Sequence, residues 1–203
     1  MAEIDPRIVD AIDERSVQRR YDRRAVVFRE GDPPDGMYLL EGGRMLIEST
    51  TVEGAPVGLS VVSPGEIFGA QSLLRPGSAR NATVFALRDS DVLLIRPRDF
   101  EVLRSEFPAI DRFFMLVLDD RLRLMSDRLA EAVHATAEER VHRRLVELGD
   151  AFEGRIQMSQ ERLASLAGTT RPTVNRVLRG LEDRGILTLG RATITVHQIE
   201  ALV

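Results

Sequence analysis

Residues 159–185, SQERLASLAGTTRPTVNRVLRGLEDRG, constrain the chain more than any other stretch. They read as a short amphipathic helix, a glycine turn and a second helix, the layout of a helix-turn-helix. Ser159 is placed to cap the first helix, and Leu163, Leu166 and Ala167 fall at i, i+3 and i+4 before Gly168, where the chain must reverse. In the second helix Val174, Val177, Leu178 and Leu181 form one apolar stripe. At roughly 100° per residue, Pro172, Arg176 and Arg179 project from about the opposite side. Thr169 or Thr170 supplies the cap, and Pro172 sits in the first turn, where the N–H it lacks has no intrahelical partner. A recognition helix enters the major groove by its N-terminal end. Arg171, Thr173, Asn175 and Arg176 are therefore the candidates for base edges and Arg179 for phosphate, with Thr169 and Thr170 completing the expected DNA-binding set. The plainer alternative is a helical hairpin with a solvated charged face. Against it stands the next segment, residues 186–196, which alternates apolar and polar side chains around Gly190-Arg191 and predicts a β-hairpin wing.

Composition sets the outer limits. With 203 residues, 43% hydrophobic and 30% charged, the chain predicts a well-cored globular protein of one or two domains. The absence of cysteine excludes disulfides, thiolate zinc sites, iron–sulfur clusters and thiol redox switches. Residues 1–6 show no basic region followed by an apolar core, and the longest strongly apolar run, Phe113 to Leu118, is far below a membrane-spanning length. The expectation is a cytoplasmic protein with no membrane partner. A net charge of −4 is not that of a uniformly basic nucleic-acid binder, yet only a local basic surface is needed. All 28 basic residues are arginine, whose planar fork suits guanine and phosphate. His134, His142 and His197 are scattered, and no P-loop, nucleophile elbow or His–carboxylate metal spacing occurs. No catalytic residue, no metal ligand and no enzyme are expected.

Along the chain, residues 5–20 predict a helical entry, followed by strand-length runs at 25–28, 37–40, 44–47, 57–62, 82–86 and 91–95. Turns such as Gly31 to Gly36 separate them, and regular spacing of this kind implies a barrel or roll. Residues 98–106 predict a short helix, and Pro108 is placed to open a long one reaching about Ala135. Within it Met115, Leu118, Leu122, Met125, Leu129 and Ala132 alternate at spacings of three and four, a heptad seam that reads as a dimer interface. A second stripe, Phe113, Phe114 and Val117, suits packing onto the preceding roll; a monomer burying both stripes in one core is the alternative. A further helix over 137–149 leads into the helix-turn-helix. The fold class is α+β: an antiparallel β-roll, double-stranded and jelly-roll-like (1–106), a dimerisation helix (107–135) and a winged helix-turn-helix DNA-binding domain (136–203).

This order resembles the Crp/Fnr family of bacterial transcription regulators, and the likeness covers nearly the whole chain. Phe28-x-x-Gly31-Asp32 followed by residues 37–42, MYLLEG, is similar to the opening of a cyclic-nucleotide-binding roll. Residues 64–69, PGEIFG, with residues 80–84, RNATV, resemble its phosphate-binding cassette, and Leu163-Ala164 through Gly168 to Arg176 resembles its helix-turn-helix. The resemblance implies a homodimeric, sequence-specific regulator on near-palindromic double-stranded DNA, acting as activator or repressor, with RNA polymerase as a further partner and a small effector in the roll. It assigns that effector to Gly69, Ala70, Gln71, Ser72, Arg80 and Asn81, with Ser126 from the long helix. Arg80 would supply the charge-assisted bond to an anion.

The chain departs from the family at three places. Ala70 stands where nucleotide-binding members carry a glutamate for the ribose, and losing such a bond costs about 1.5–3 kcal/mol, or roughly tenfold to over a hundredfold in affinity. Met125-Ser126 stands where cyclic-AMP receptors have Thr-Ser, and Arg171-Pro172 where Arg-Glu is common, so the half-site should differ from the family's best-known one. A cyclic nucleotide is thus one candidate effector with an incomplete site, beside a different small ligand or no ligand at all. The alternative function is a nucleotide-responsive module that controls a partner protein through its winged domain.

Overall fold

The computed structural model describes residues 6–75 and 77–202 and divides into two compact units, Met1–Ile47 with Val61–Asp127, and Glu48–Ser60 with Arg128–Val203. Among the described residues no helix is long and apolar enough to cross a membrane, and no group of three or more His, Cys, Asp or Glu could hold a metal.

The roll consists of two four-stranded sheets. One is ordered β1 (Val17–Tyr21), β8 (Ser90–Ile95), β3 (Met37–Gly42), β6 (Ile67–Phe68), and the other β2 (Val26–Phe28), β7 (Thr83–Ala86), β4 (Met45–Thr50), β5 (Pro56–Val62). The first sheet is antiparallel throughout, with Tyr38 opposite both Leu94 and Phe68. The predicted helix over 5–20 needs correction: α1 (Pro6–Arg15) stops early, and residues 17–21 form the edge strand β1, in register from Val17 opposite Leu94 to Tyr21 opposite Ser90. Val-Gln-Arg-Arg-Tyr alternates half-buried and exposed side chains, the pattern of an edge with one wet face. β6, two residues long, left no periodicity in the sequence to detect.

A short helix, α2 (Gln71–Leu74), follows β6, and α3 (Pro97–Glu106) follows β8. The long helix α4 spans Ala109–His134. Its two apolar stripes separate as the spacing predicts. Ile110 and Phe114 are buried in the same cluster as Ile8, Met37, Ile67, Ile95, Phe100 and Leu103, with Phe113 and Val117 half-buried against it. Met115, Leu118, Leu122, Met125 and Leu129 remain 42–68% exposed, and Val133, on the same stripe, is 68% exposed. A single core burying both stripes is not what forms.

In the second unit α5 (Ala137–Ala151) starts at a capping box, where Thr136 accepts from Glu139 N and Glu139 accepts from Thr136 N. Its buried face, Val141, Leu145 and Leu148, meets α6 (Gln160–Leu166), α7 (Arg171–Asp183) and a three-stranded sheet ordered β10 (Leu187–Gly190), β11 (Thr193–Val196), β9 (Arg155–Ile156). The wing is therefore the predicted hairpin plus a third strand, and it turns on Arg191 and Ala192, the latter at φ +52°. Segment 48–60 packs in this unit too. Ser165 Oγ accepts from Gly58 N at 2.6 Å and donates to Pro56 O at 3.0 Å, and Arg128 Nη1 donates to Leu59 O at 2.6 Å. A Cβ on Gly58 would lie 2.7 Å from the Leu166 side chain, so only glycine allows this approach.

Candidate DNA-reading and effector sites

The residues predicted to read DNA lie together on α7 and its entry. Thr170 is the N-cap, its hydroxyl 3.5 Å from Thr173 N and 3.0 Å from Thr173 Oγ1, and Pro172 occupies the first turn. Val174, Val177, Leu178 and Leu181 are buried, which forces Arg171, Asn175, Arg176 and Arg179 outward, all exposed. Thr169 is half-buried in the turn, its N–H donating to Ala164 O. Gly168 turns the chain at φ +57°, a left-handed conformation that favours glycine. The outer side chains are partly positioned. Asn175 Nδ2 donates to Gln160 Oε1 at 3.1 Å, Arg179 pairs with Glu182 at 2.7 Å, and Arg176, 71% exposed, lies 4.0 Å from Glu138.

Two anchors of this surface escaped the sequence reading. Glu182 Oε1 accepts from Leu189 N at 2.9 Å, which ties the wing to the end of α7; that bond and Arg179 hold its carboxyl below the usual range. Arg140 donates through Nε to Ala167 O (2.8 Å), Nη2 to Gly168 O (3.0 Å) and Nη1 to Ala135 O (2.7 Å). One guanidinium thus joins the end of α4 to the turn between α6 and α7. A row of charged groups supports it: Arg144, with a side chain 9% exposed, pairs with Glu131 and Glu147, and Glu147 also pairs with Arg128. The only sequence signal for this was charge at helical spacing, which exposed faces share.

The cassette residues also converge. Arg80, 3% exposed in its side chain, donates through Nη2 to Asp35 Oδ1 and Gly36 O, both 2.8 Å, and through Nη1 to Gly69 O at 3.0 Å. Its Cζ lies 4.0 Å from the centroid of the Phe28 ring, a cation–π geometry. Gly69 has φ +73°, and a Cβ there would sit 2.6 Å from Arg80 Nη1, so both backbone and arginine require glycine. Ala70 and Gln71 open α2, and Asn81 is exposed beside Arg80. Of Ser72 the backbone lies in α2, and its side chain falls outside the described residues. Ser126 is exposed on α4 and donates to Leu122 O at 2.9 Å. Asp35, unassigned from sequence, organises the cluster by accepting also from Tyr38 Oη (2.9 Å) and Arg19 Nη1 (3.0 Å). Burial works against its charge, but the bonds from Tyr38, Arg80 and Arg19 prevail and hold its carboxyl below the ordinary range. Burial, then the bond to Asp35, pushes the Tyr38 hydroxyl up. Arg80 is thus held by internal acceptors, Asp35, Gly36 O and Gly69 O, and residue 70 is an alanine with no side-chain acceptor.

The chain matches the model of the cyclic nucleotide-binding domain over residues 18–107 and that of the Crp-like helix-turn-helix domain over residues 139–203. It is 32% identical over 186 residues to the "Cyclic AMP receptor protein" of Thermus thermophilus, spanning 91% of this chain and 86% of that one. The "CRP-like cAMP-activated global transcriptional regulator" of Mycobacterium tuberculosis is 27% identical over 210 residues, 98% of this chain and 92% of that protein. Among solved structures, the c-di-GMP responsive global regulator CLP of Xanthomonas campestris superposes with a TM-score of 0.81 at 23% identity, covering 95% of this chain and 99% of that one. The catabolite activator protein of Thermus thermophilus gives a TM-score of 0.59 at 30% identity, covering 99% and 94%. The chain belongs to the Crp/Fnr family. It is a DNA-binding transcription regulator of that type, and its relatives are transcription regulators rather than controllers of a partner protein.

The Asp35 cluster has a pH signature. A carboxyl held low in the folded state adds stability above the ordinary carboxylate pKa, about 3.9, and gives it up as pH falls through its folded value. Asp35→Asn should lower the thermal midpoint at pH 7 and flatten its decline below about pH 4 relative to wild type. Parallel midpoint-against-pH curves for the two proteins would remove Asp35 from this role.

Proposed function

We propose that the protein acts as a homodimer on a near-palindromic DNA site, with one α7 in each of two successive major grooves about 34 Å apart. The observation that carries this reading is the outward set of Arg171, Asn175, Arg176 and Arg179, with the half-buried Thr173 beside them, opposite a buried stripe on the same helix. Arg171 and Arg176 read base edges or phosphate, Arg179 contacts phosphate, and Thr169 and Thr170 secure the entry. Dimerisation runs along Met115, Leu118, Leu122, Met125, Leu129 and Ala132, extended by Val133. Each leucine withdrawn from water there contributes about 1.5–3 kcal/mol. Residues 1–106 serve as sensor, 107–135 as dimer helix and 136–203 as reader. The protein works in the cytoplasm, without catalysis, with RNA polymerase as a further partner. An effector acts by shifting the population of geometries around residues 132–138, so that paired recognition helices match or miss the groove spacing.

The cassette takes cyclic nucleotide weakly, because Arg80 is shared with Asp35 and residue 70 brings no carboxylate. Selection from a random DNA pool, with and without cyclic AMP and cyclic GMP, tests the operator and the effector together. Enrichment of no inverted repeat would refute the dimeric reading. Ala70→Glu should tighten cyclic AMP binding by roughly tenfold to a hundredfold by calorimetry; no gain would mean that Arg80, not residue 70, limits the site. Arg176→Ala should weaken specific binding by about 1–3 kcal/mol and relax one base position. A uniform loss across all sequences would make it a phosphate contact. Leu122→Asp with Leu129→Asp should yield monomers by light scattering and weaken operator binding by about 100-fold or more, since the second half-site is no longer tethered.

A further inference from the structure

The roll unit holds a cavity that neither the cassette nor the exposed α4 seam accounts for. It measures about 330 Å³ and lies between α1, strands β3, β6 and β8, and helices α3 and α4, with Ile12, Leu39, Ile67, Phe100, Phe113 and Phe114 among its walls. Packed interiors leave few voids larger than a water molecule, whose share of the liquid is about 30 Å³. This pocket is instead a cleft, open to solvent past the exposed Val9, Asp10, Asp13, Glu41 and Gly65 and floored by a buried apolar cluster of the unit. Its volume falls within the range of small-molecule sites, about 300–1,000 Å³, and at an interior packing density of about 0.75 it holds roughly a dozen non-hydrogen atoms.

Charge narrows the class of ligand. The polar side chains at the cavity are Asp10, Asp13 and Glu41, all exposed carboxylates at its edge, and among the described residues no basic or amide side chain lines it. Arg15 and Arg104, on the neighbouring helices, are held by Glu106 at 2.9 Å and Asp111 at 2.7 Å. We propose that this cavity binds a small apolar molecule with a neutral or cationic head, of the class of a medium-chain aliphatic or aromatic amine, and discriminates against the matching carboxylate. The cluster surrounding it also takes in Leu73 and Ala70 of the cassette and Phe113 and Val117 of α4. An occupant therefore packs into the same core that positions the cassette helix and the start of the dimer helix.

Binding stands independently of the DNA reading and is tested on the full chain with N-phenyl-1-naphthylamine, a neutral probe that fluoresces in apolar surroundings. The expected result is saturable binding, displaced about tenfold or more better by decylamine than by decanoate. Leu39→Phe and, separately, Ile12→Phe fill the cavity and should each weaken probe binding by about tenfold or more with the thermal midpoint retained. Asp13→Asn with Glu41→Gln should bring the two competitors to parity. Absence of saturable probe binding, equal competition by decanoate in wild type, or probe binding unchanged in both filling variants would overturn the proposal, the last by placing the probe on the α4 seam. Gel shifts on the same samples report DNA binding separately, so loss of one activity is not read as loss of the other.

Discussion

Arg140 joins three backbone carbonyls that no other side chain brings together: Ala135 at the end of α4, and Ala167 and Gly168 at the turn of the helix-turn-helix. The last carbonyls of a helix lack intrahelical partners, and a guanidinium has enough donors in a fixed fork to satisfy several at once. The direction in which α7 leaves its turn is thereby referred to Ala135, just past the last turn of α4. Glu131, Glu147, Arg128 and Arg144 repeat the arrangement one helical turn further back. With Thr136 and Glu139 closing the start of α5, Ala135 is the sole residue between α4 and the N-cap of α5. The joint between α4 and α5 therefore has very few free dihedrals and is braced by charge-assisted bonds.

The long helix divides its apolar residues between two tasks. Ile110 and Phe114 close the roll, and the edge-on contact of Phe114 with Phe100 of α3, at a centroid separation of 4.9 Å, fixes the rotation of the helix. That rotation aims Leu118, Leu122, Met125 and Leu129 at solvent. An exposed apolar row of this length on one helix is the kind of surface that marks an interface. Folding of the roll and orientation of the seam are consequently one event, since the same helix cannot turn to hide its leucines without withdrawing its phenylalanines.

Elements with strong periodicity were legible in the sequence: the strands of the roll, α4 with both stripes, α6, α7 and the wing. Apolar spacing decides where such elements begin and which face they bury, and the caps at Thr136, Ser159 and Thr170 sharpen their starts. Strand β1 was illegible because its outward side chains are arginine and glutamine, and two-residue strands carry no period at all. The outward face of α7 was legible because burial of one face determines the other. Asp35 and Arg140 were not, because their partners lie far along the chain or are backbone oxygens, and neither leaves a local pattern. The acid-rimmed cavity belongs to the same class: its walls read simply as core residues until the strands and helices are set around it.

Gly58 shows how little tolerance the second unit has. Its N–H meets Ser165, and the space a methyl would need is taken by Leu166. Hairpin and helix are so close there that they behave as meshed gear teeth: bending the hairpin by a fraction of an ångström must drag α6, and with it the turn that launches α7. A substitution at this glycine, remote in sequence, is thereby felt in α6 and at the turn ahead of α7.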